Sequence, residues 1–194
     1  MRLILASASP RRADLLRAAG IPFEISPATI EETFHAGEIP EAAVARLATS
    51  KATAAAPQNK DAIVLGADTT VVVSGDALGK PVDDADAARM LHLLSGRVHE
   101  VLTGVCLYAN HQTITFVERT SVRMAYLSDD EIEWYVATGE PSDKAGAYAI
   151  QGRGSRFIEA VEGSYSNVVG LPISSVYAAL KTLGCDTLVT GKTP

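Results

Sequence analysis

The chain commits itself early. The apolar run Leu3-Ile4-Leu5-Ala6 passes through Ser7-Ala8-Ser9-Pro10 straight into the pattern from Arg11 to Ala19. An apolar run of this length, closed by Ser and Pro and followed by helical spacing, reads as a buried strand turning directly into a helix. Ser9 is the expected N-cap and Pro10 the first helical residue, because the first turn leaves that N–H unbonded anyway. Arg11 and Arg12 then fall where the helix dipole is positive and cations are disfavoured by about 0.3–1 kcal/mol each. Two arginines beside hydroxyls at a helix N-terminus suit a shared anion, above all a polyphosphate, which satisfies N–H groups, hydroxyls and guanidinium forks together. The alternative is that both arginines are solvated.

At 194 residues, with 47% hydrophobic and 21% charged residues, the chain suits one soluble globular domain over 1–194, with room for two lobes around a cleft. A net charge of −6 argues against a general nucleic-acid-binding surface and suits a small anion held in a basic pocket. The two cysteines, Cys106 and Cys185, form no metal or disulfide pattern, and the four histidines show no metal-ligand spacing. There is no apolar run of about 18 residues and no signal-peptide layout, so no membrane association is expected and the compartment is read as the cytoplasm.

A short strand is expected over 21–26, then a polar, acidic loop from Pro27 to Pro40 that carries Glu31, Glu32 and Glu38. An alanine-rich helix follows from Glu41 to Ala56. Its Lys51 lies on or beside the apolar face, either snorkelling to solvent or reaching an acidic or phosphate partner. Ala62 to Ala67 and Thr70 to Val73 read as a central strand pair or one long bent strand, with Asp68-Thr69 between them. A carboxylate flanked by apolar strand needs a partner, since burying it alone is very costly. Gly66 signals a bulge or a close backbone approach that aims Asp68 at a site; the alternative is a structural Asp closing a turn.

Further on, Asp83 or Asp84 caps a helix over 85–94, and strands over 98–108 and 113–124 meet at a hairpin turn. Ser128 and Glu131 form a capping box for a helix over 129–138. The stretch from Asp143 to Gly152 fits neither strand nor helix, and its small residues let backbone approach a ligand. Its Lys144 is a further substrate-binding candidate, with a surface lysine as the alternative. Val168 to Pro172 leads into a last helix over 173–183, and the tail from about Cys185 is expected to fray. Alternating strands and helices with one hairpin give an α/β fold on a mixed sheet with helices on both faces.

Ser7-Ala8-Ser9-Pro10-Arg11-Arg12, Gly66-Ala67-Asp68-Thr69, Gly79-Lys80-Pro81, Thr103-Gly104, Asp143 to Tyr148 with Gln151-Gly152, and Gly170-Leu171-Pro172 stand in order along nearly the whole chain. Together they resemble the Maf family of nucleoside triphosphate pyrophosphatases. The resemblance implies a fold of the inosine-triphosphate-pyrophosphatase type, a twisted mixed sheet whose two lobes enclose a nucleotide cleft. It implies hydrolysis of a nucleoside triphosphate to the monophosphate and pyrophosphate with a divalent metal, Mg²⁺ or Mn²⁺. By position, Asp68 matches the catalytic proton acceptor, Ser7, Arg11, Arg12, Lys51 and Lys80 match phosphate-side residues, and Glu32 matches an acidic residue of the cleft. Glu32 and Asp68 are thus the expected metal-holding pair.

Arg12, Thr69 and Gln151 are similar to the subgroup that acts on dTTP and UTP. A homodimer is common among such relatives. Ala149 stands where many of them have Gly, which implies that no positive φ is needed there.

The residues agree with this on their own terms. A triphosphate carries about four negative charges, and Arg11, Arg12, Lys51 and Lys80 supply matching cations, with a divalent ion bridging phosphates to carboxylates. The Gln151 amide can both accept from N3–H and donate to a ring carbonyl of uracil or thymine. Two other readings stay open: a nucleotide-binding regulatory module affecting cell division, and an anion-binding domain without turnover.

Overall fold

In the computed structural model, which describes residues 1–59 and 61–185, hydrogen bonds link strands in the order β2-β1-β3-β5-β6-β7, with β4 on β3. The chain forms two compact units: Met1–Asp68, Thr103–Glu118 and the chain from Gly170 make the first, and Thr69–Leu102 with Arg119–Val169 make the second.

In the first unit, β1 (Arg2–Leu5) pairs in parallel with β2 (Glu24–Ile25) and with β3 (Ala62–Val73). The strand expected over 21–26 shrinks to β2, because only Ile4 and Leu5 offer it partners. Side chains alternate across the sheet, as period-two spacing requires. Leu3, Leu5, Ile63, Leu65 and Ala67 pack with Ala13 and Leu16 of α1 (Pro10–Ala18) and with Val176 and Leu180 of α6 (Ile173–Thr182). Ile4, Ala6, Ala62 and Val64 pack instead with Ala48, Ala52 and Ala55 of α2 (Pro40–Ala55). Helices therefore cover both faces of this part of the sheet. Cys185, expected to begin a frayed tail, is buried in the first of these clusters, and its Sγ–H donates to the Met1 carbonyl. Residues 186–194, the rest of that expected tail, lie outside the described residues.

β3 is one continuous strand of 12 residues, which settles the choice left open by its sequence. Its last residues enter the second unit and pair with β4 (Asp76–Leu78) through the turn at Ser74 and Gly75. β5 (Val98–Ala109) and β6 (Gln112–Met124) join at Asn110 and His111, both with positive φ, the backbone a two-residue hairpin turn needs. β7 (Ile158–Glu162), mostly exposed and not anticipated, pairs antiparallel with β6.

The second core collects Val71, Val73 and Val101 with Met90, Leu91 and Leu94 of α3 (Asp84–Leu94) and Ile132 and Tyr135 of α4 (Asp129–Ala137). The caps behave as expected: Asp83 accepts from the Asp86 N–H, and the Ser128–Glu131 box closes in both directions. A short helix α5 (Tyr165–Val169), also unanticipated, precedes the Gly170 turn.

Candidate active site

The β1–α1 junction forms as its sequence demands, but Ser9 does not cap with its side chain. The Ser7 hydroxyl braces the junction in another way: Ser7 Oγ accepts from the Ser9 N–H at 3.2 Å and from Arg12 Nη1 at 3.1 Å. Arg12 is not a solvated cation. It is 8% exposed, with Nε donating to the Gly170 carbonyl at 2.9 Å and Nη1 to the Ala67 carbonyl at 2.8 Å. Burial pulls its pKa down, partly offset by the nearby negative charges of Asp68 and Glu32. Arg12 thus ties the start of α1 to β3 and to the Gly170 turn, while Arg11 is half-buried beside it.

Asp68 sits in mid-strand rather than in a turn, so it is not a turn-closing aspartate. Strand parity puts it on the same face as Ala62, Val64 and Gly66, the face that meets α2. Gly66 serves a close backbone approach. A Cβ there would lie 2.2 Å from the Ala48 carbonyl oxygen, and one on Gly104 would lie 2.2 Å from the Val44 carbonyl oxygen. These two glycines let α2 rest its backbone on the sheet, which delivers Lys51, one turn beyond Ala48, to Asp68, two residues beyond Gly66.

Lys51 is 6% exposed and does not snorkel: its Nζ donates to Asp68 Oδ1 at 2.7 Å and lies 2.8 Å from Glu32 Oε1. Asp68 is 9% exposed, and its Oδ2 receives no hydrogen bond from a described residue. Glu32 comes from the acidic loop before α2. That loop is fastened by Arg46, whose Nε and Nη2 clamp Glu38 at 2.7 and 2.6 Å and whose Nη2 also donates to the Thr33 carbonyl. The Arg46 hydrogen bonds, with a further bond from the His35 N–H, pull the Glu38 carboxyl down to about 2. Nothing in the spacing of Glu38 and Arg46 announces this pair.

Ser7, Arg11, Arg12, Glu32, Lys51 and Asp68 thus belong to the first unit, and Thr69, Lys80, Lys144 and Gln151 to the second. Thr69 follows Asp68 in β3 and is half-buried. Lys80 is exposed, with no ion pair to a described residue; the carbonyl of its neighbour Gly79 accepts from the Gly146 N–H at 3.0 Å. That bond brings the Lys80 segment to the turn that follows Lys144. The Lys144 side chain is mostly covered, its Nζ donating to Asp143 Oδ1 and to the Glu140 carbonyl. Gly146 and Ala147 take positive φ and Ala149 does not, as expected for Ala149. Gln151 is exposed and makes no side-chain hydrogen bond to a described residue.

Sequence reasoning missed the groups that hold this region. Tyr135 OH donates to Glu140 Oε1 at 2.8 Å, and buried His99 places Nε2 2.7 Å from Tyr148 OH. His99 and Tyr148 are 49 residues apart, and Tyr135 and Glu140 lie five apart across the end of a helix, a spacing at which side chains are not expected to meet.

Among the described residues no cluster of three His, Cys, Asp or Glu side chains is poised to hold a metal. Two carboxylates do converge, Glu32 and Asp68, on the Lys51 ammonium. A pair of carboxylates fits Mg²⁺ or Mn²⁺, which complete their shells with water and substrate phosphate.

A family model described as Maf-like protein matches residues 2–183. The chain is 51% identical over 185 residues to a dTTP/UTP pyrophosphatase of Bacillus cereus (strain AH820), covering 95% of this chain and 97% of that one. It is 52% identical over 184 residues to a dTTP/UTP pyrophosphatase of Koribacter versatilis (strain Ellin345), covering 95% of each. Among solved structures it is similar to the Staphylococcus aureus Ham1 protein, with a TM-score of 0.53 and 16% identity over 94% of this chain and all of that one. At that identity the likeness shows the fold alone, and it is the mixed α/β fold expected from the sequence. Among the described residues no helix is long and apolar enough to cross a membrane.

Proposed function

The chain belongs to the Maf family, and we propose that it hydrolyses dTTP and UTP to the monophosphate and pyrophosphate. The substrate choice is supported by the names of relatives at 51% and 52% identity. The reaction is supported chiefly by one observation: a buried strand carboxylate, Asp68, with Oδ1 held by Lys51 and Oδ2 bonded to no described residue.

In this reading a water adds its oxygen to phosphorus, the P–O bond between the α and β phosphates breaks, and pyrophosphate leaves. Asp68 Oδ2 orients the water and takes its proton, while Lys51 fixes the carboxylate through Oδ1. Ser7, Arg11, Lys80 and Lys144 are the residues that bind phosphate oxygens. Arg12 holds the turn that presents Ser7 and Arg11 and, with Thr69 and Gln151, sets base preference. Glu32 and Asp68 would hold Mg²⁺ or Mn²⁺, which when bound supplies charge neutralisation for the phosphates. The Gln151 amide pairs with N3–H and a ring carbonyl of the pyrimidine, a pattern that a purine edge does not complete. The enzyme acts on free nucleotide in the cytoplasm, as a homodimer, and its net charge of −6 disfavours nucleic acid as a partner.

The test is pyrophosphate release from a panel of pyrimidine and purine triphosphates with Mg²⁺ or Mn²⁺, comparing wild type with Asp68→Asn. Turnover of dTTP and UTP that falls about 10³-fold in the variant, and stops on chelation, is the expected result. Nucleotide binding with no turnover of any triphosphate would favour the regulatory module instead.

A further inference from the structure

The segment 149–154, which carries Gln151, has no strand or α-helix to hold it, and its two ends are gripped from one side. The Glu140 carboxylate accepts from Tyr135 OH at 2.8 Å, from the Arg153 N–H at 3.0 Å and from the Gly154 N–H at 3.1 Å. Tyr135 OH in turn accepts from the Ala149 N–H at 3.0 Å. A phenol thus holds the backbone before Gln151, and a carboxylate hydrogen-bonded to that phenol holds it after. The fit is close. A Cβ on Gly152 would lie 2.4 Å from Glu140 Oε2, and one on Gly154 would lie 2.6 Å from Tyr135 OH. Burial alone would push the Glu140 carboxyl up, but the bonds from Arg153, Tyr135 and Gly154 and the charge of Lys144 bring it down. In the middle of this fixed backbone the Gln151 amide is exposed and bonded to no described residue. A clamped main chain with an open amide is the arrangement that preorganised recognition requires.

We infer that Glu140 and Tyr135 are positioning residues for base selection, holding 149–154 so that the Gln151 amide meets the pyrimidine edge. This rests on the reading of Gln151 proposed above. Neither residue touches the nucleotide; both act through the peptide N–H groups on either side of Gln151.

Glu140→Gln keeps the shape, but its NH₂ must face one of the donors that the carboxylate now accepts. Tyr135→Phe keeps the core packing and removes the acceptor of the Ala149 N–H. In Glu140→Gln, KM for UTP should rise about tenfold with a much smaller change in kcat, and the preference for UTP over GTP should fall by a similar factor. Tyr135→Phe should act in the same direction, by about threefold, and carries the test if Glu140→Gln does not fold. Adding Glu140→Gln to Gln151→Ala should lower the preference no further than Gln151→Ala alone, as expected of two residues acting through one contact. Amide exchange in 149–154 should quicken in both clamp variants.

Unchanged exchange in 149–154, or an equal loss for every nucleotide, would overturn the inference and leave Glu140 a structural residue. A preference that shifts in Gln151→Ala but not in either clamp variant would sink this inference alone. A preference unchanged in Gln151→Ala would remove both it and the reading of Gln151, and a wild type that hydrolyses no triphosphate would remove the proposed activity itself.

Discussion

The polar groups buried in the two units are of different kinds. In the first unit they include an ammonium between two carboxylates, Lys51 with Asp68 and Glu32, and the guanidinium of Arg12. In the second they are neutral side chains, such as His99 against Tyr148, and peptide N–H groups gathered by Glu140. Buried charge is costly to desolvate and is retained only where its partners are held rigidly. The first unit meets that condition by setting Lys51 and Asp68 on a helix and a strand in backbone contact. In the second, the Glu140 carboxylate is held mainly by hydrogen bonds from Tyr135 and two peptide N–H groups, with the charge of Lys144 added. The lesson is a division of labour: the most deeply buried charges, on Arg12, Lys51 and Asp68, sit on helices and a strand, and the irregular segment 149–154 is shaped by hydrogen bonds.

Removing the ammonium is the hardest strike against this contrast. Lys51→Met leaves Asp68 buried without its cation and beside Glu32, and should lower stability by about 4 kcal/mol in urea denaturation. Pyrophosphate release should fall about a hundredfold in the same protein. If the variant were as stable as wild type, the Lys51 ammonium would not be the balancing charge of this cluster. Gly66→Ala attacks the backbone contact instead of the charge. Its Cβ meets backbone atoms that cannot swing aside, so a loss of about 3 kcal/mol, with a parallel loss of turnover, is expected. A neutral outcome would mean that α2 can retreat from β3 without disturbing Lys51.

The smallest effect probes the second unit. Burial lowers the His99 pKa from 6.5 to about 4. Between those values the unfolded chain binds a proton that the folded chain refuses, so stability is complete above pH 6.5 and declines as pH falls toward 4. By one pH unit below 6.5 the loss should be about 1.4 kcal/mol, and His99→Gln should flatten that slope in urea midpoints measured across the window. A slope that persists in the variant would place the titration elsewhere.

Much of the first unit was legible in the order of its residues. Strand parity alone places Asp68 on the face of Gly66, and helical spacing places Lys51 near the apolar face of α2. What the spacing left open was whether Lys51 reached solvent or a partner, because that depends on how closely α2 can approach the sheet. Ser9 was expected to cap α1 because Ser at that position usually does; it holds the N-cap position, but its side chain accepts no N–H of the first turn. Arg12 read as a helix-end cation in need of an anion, and its carbonyl partners on Ala67 and Gly170 could not be guessed from the local pattern. In the second unit the Ser128–Glu131 box and the Asp83 cap were readable because both partners lie within one turn. The Glu140 clamp was not, because its bonds go to main-chain groups that every residue possesses.

By itself the sequence determined the strand–helix alternation, the capped starts of α3 and α4, the hairpin at Asn110 and the small-residue stretches where backbone comes close. Each of these is written in a few neighbouring residues whose local energies do not depend on the rest of the chain. Only the tertiary structure decided which charges meet. The Lys51–Asp68 contact spans 17 residues and the Arg12–Gly170 contact spans 158, and both exist because packed helices and paired strands hold those groups within hydrogen-bond reach. Attraction between charges falls off within a few ångströms of water but is strong between groups fixed in contact, so their chemistry is set by the folded backbone that brings them there.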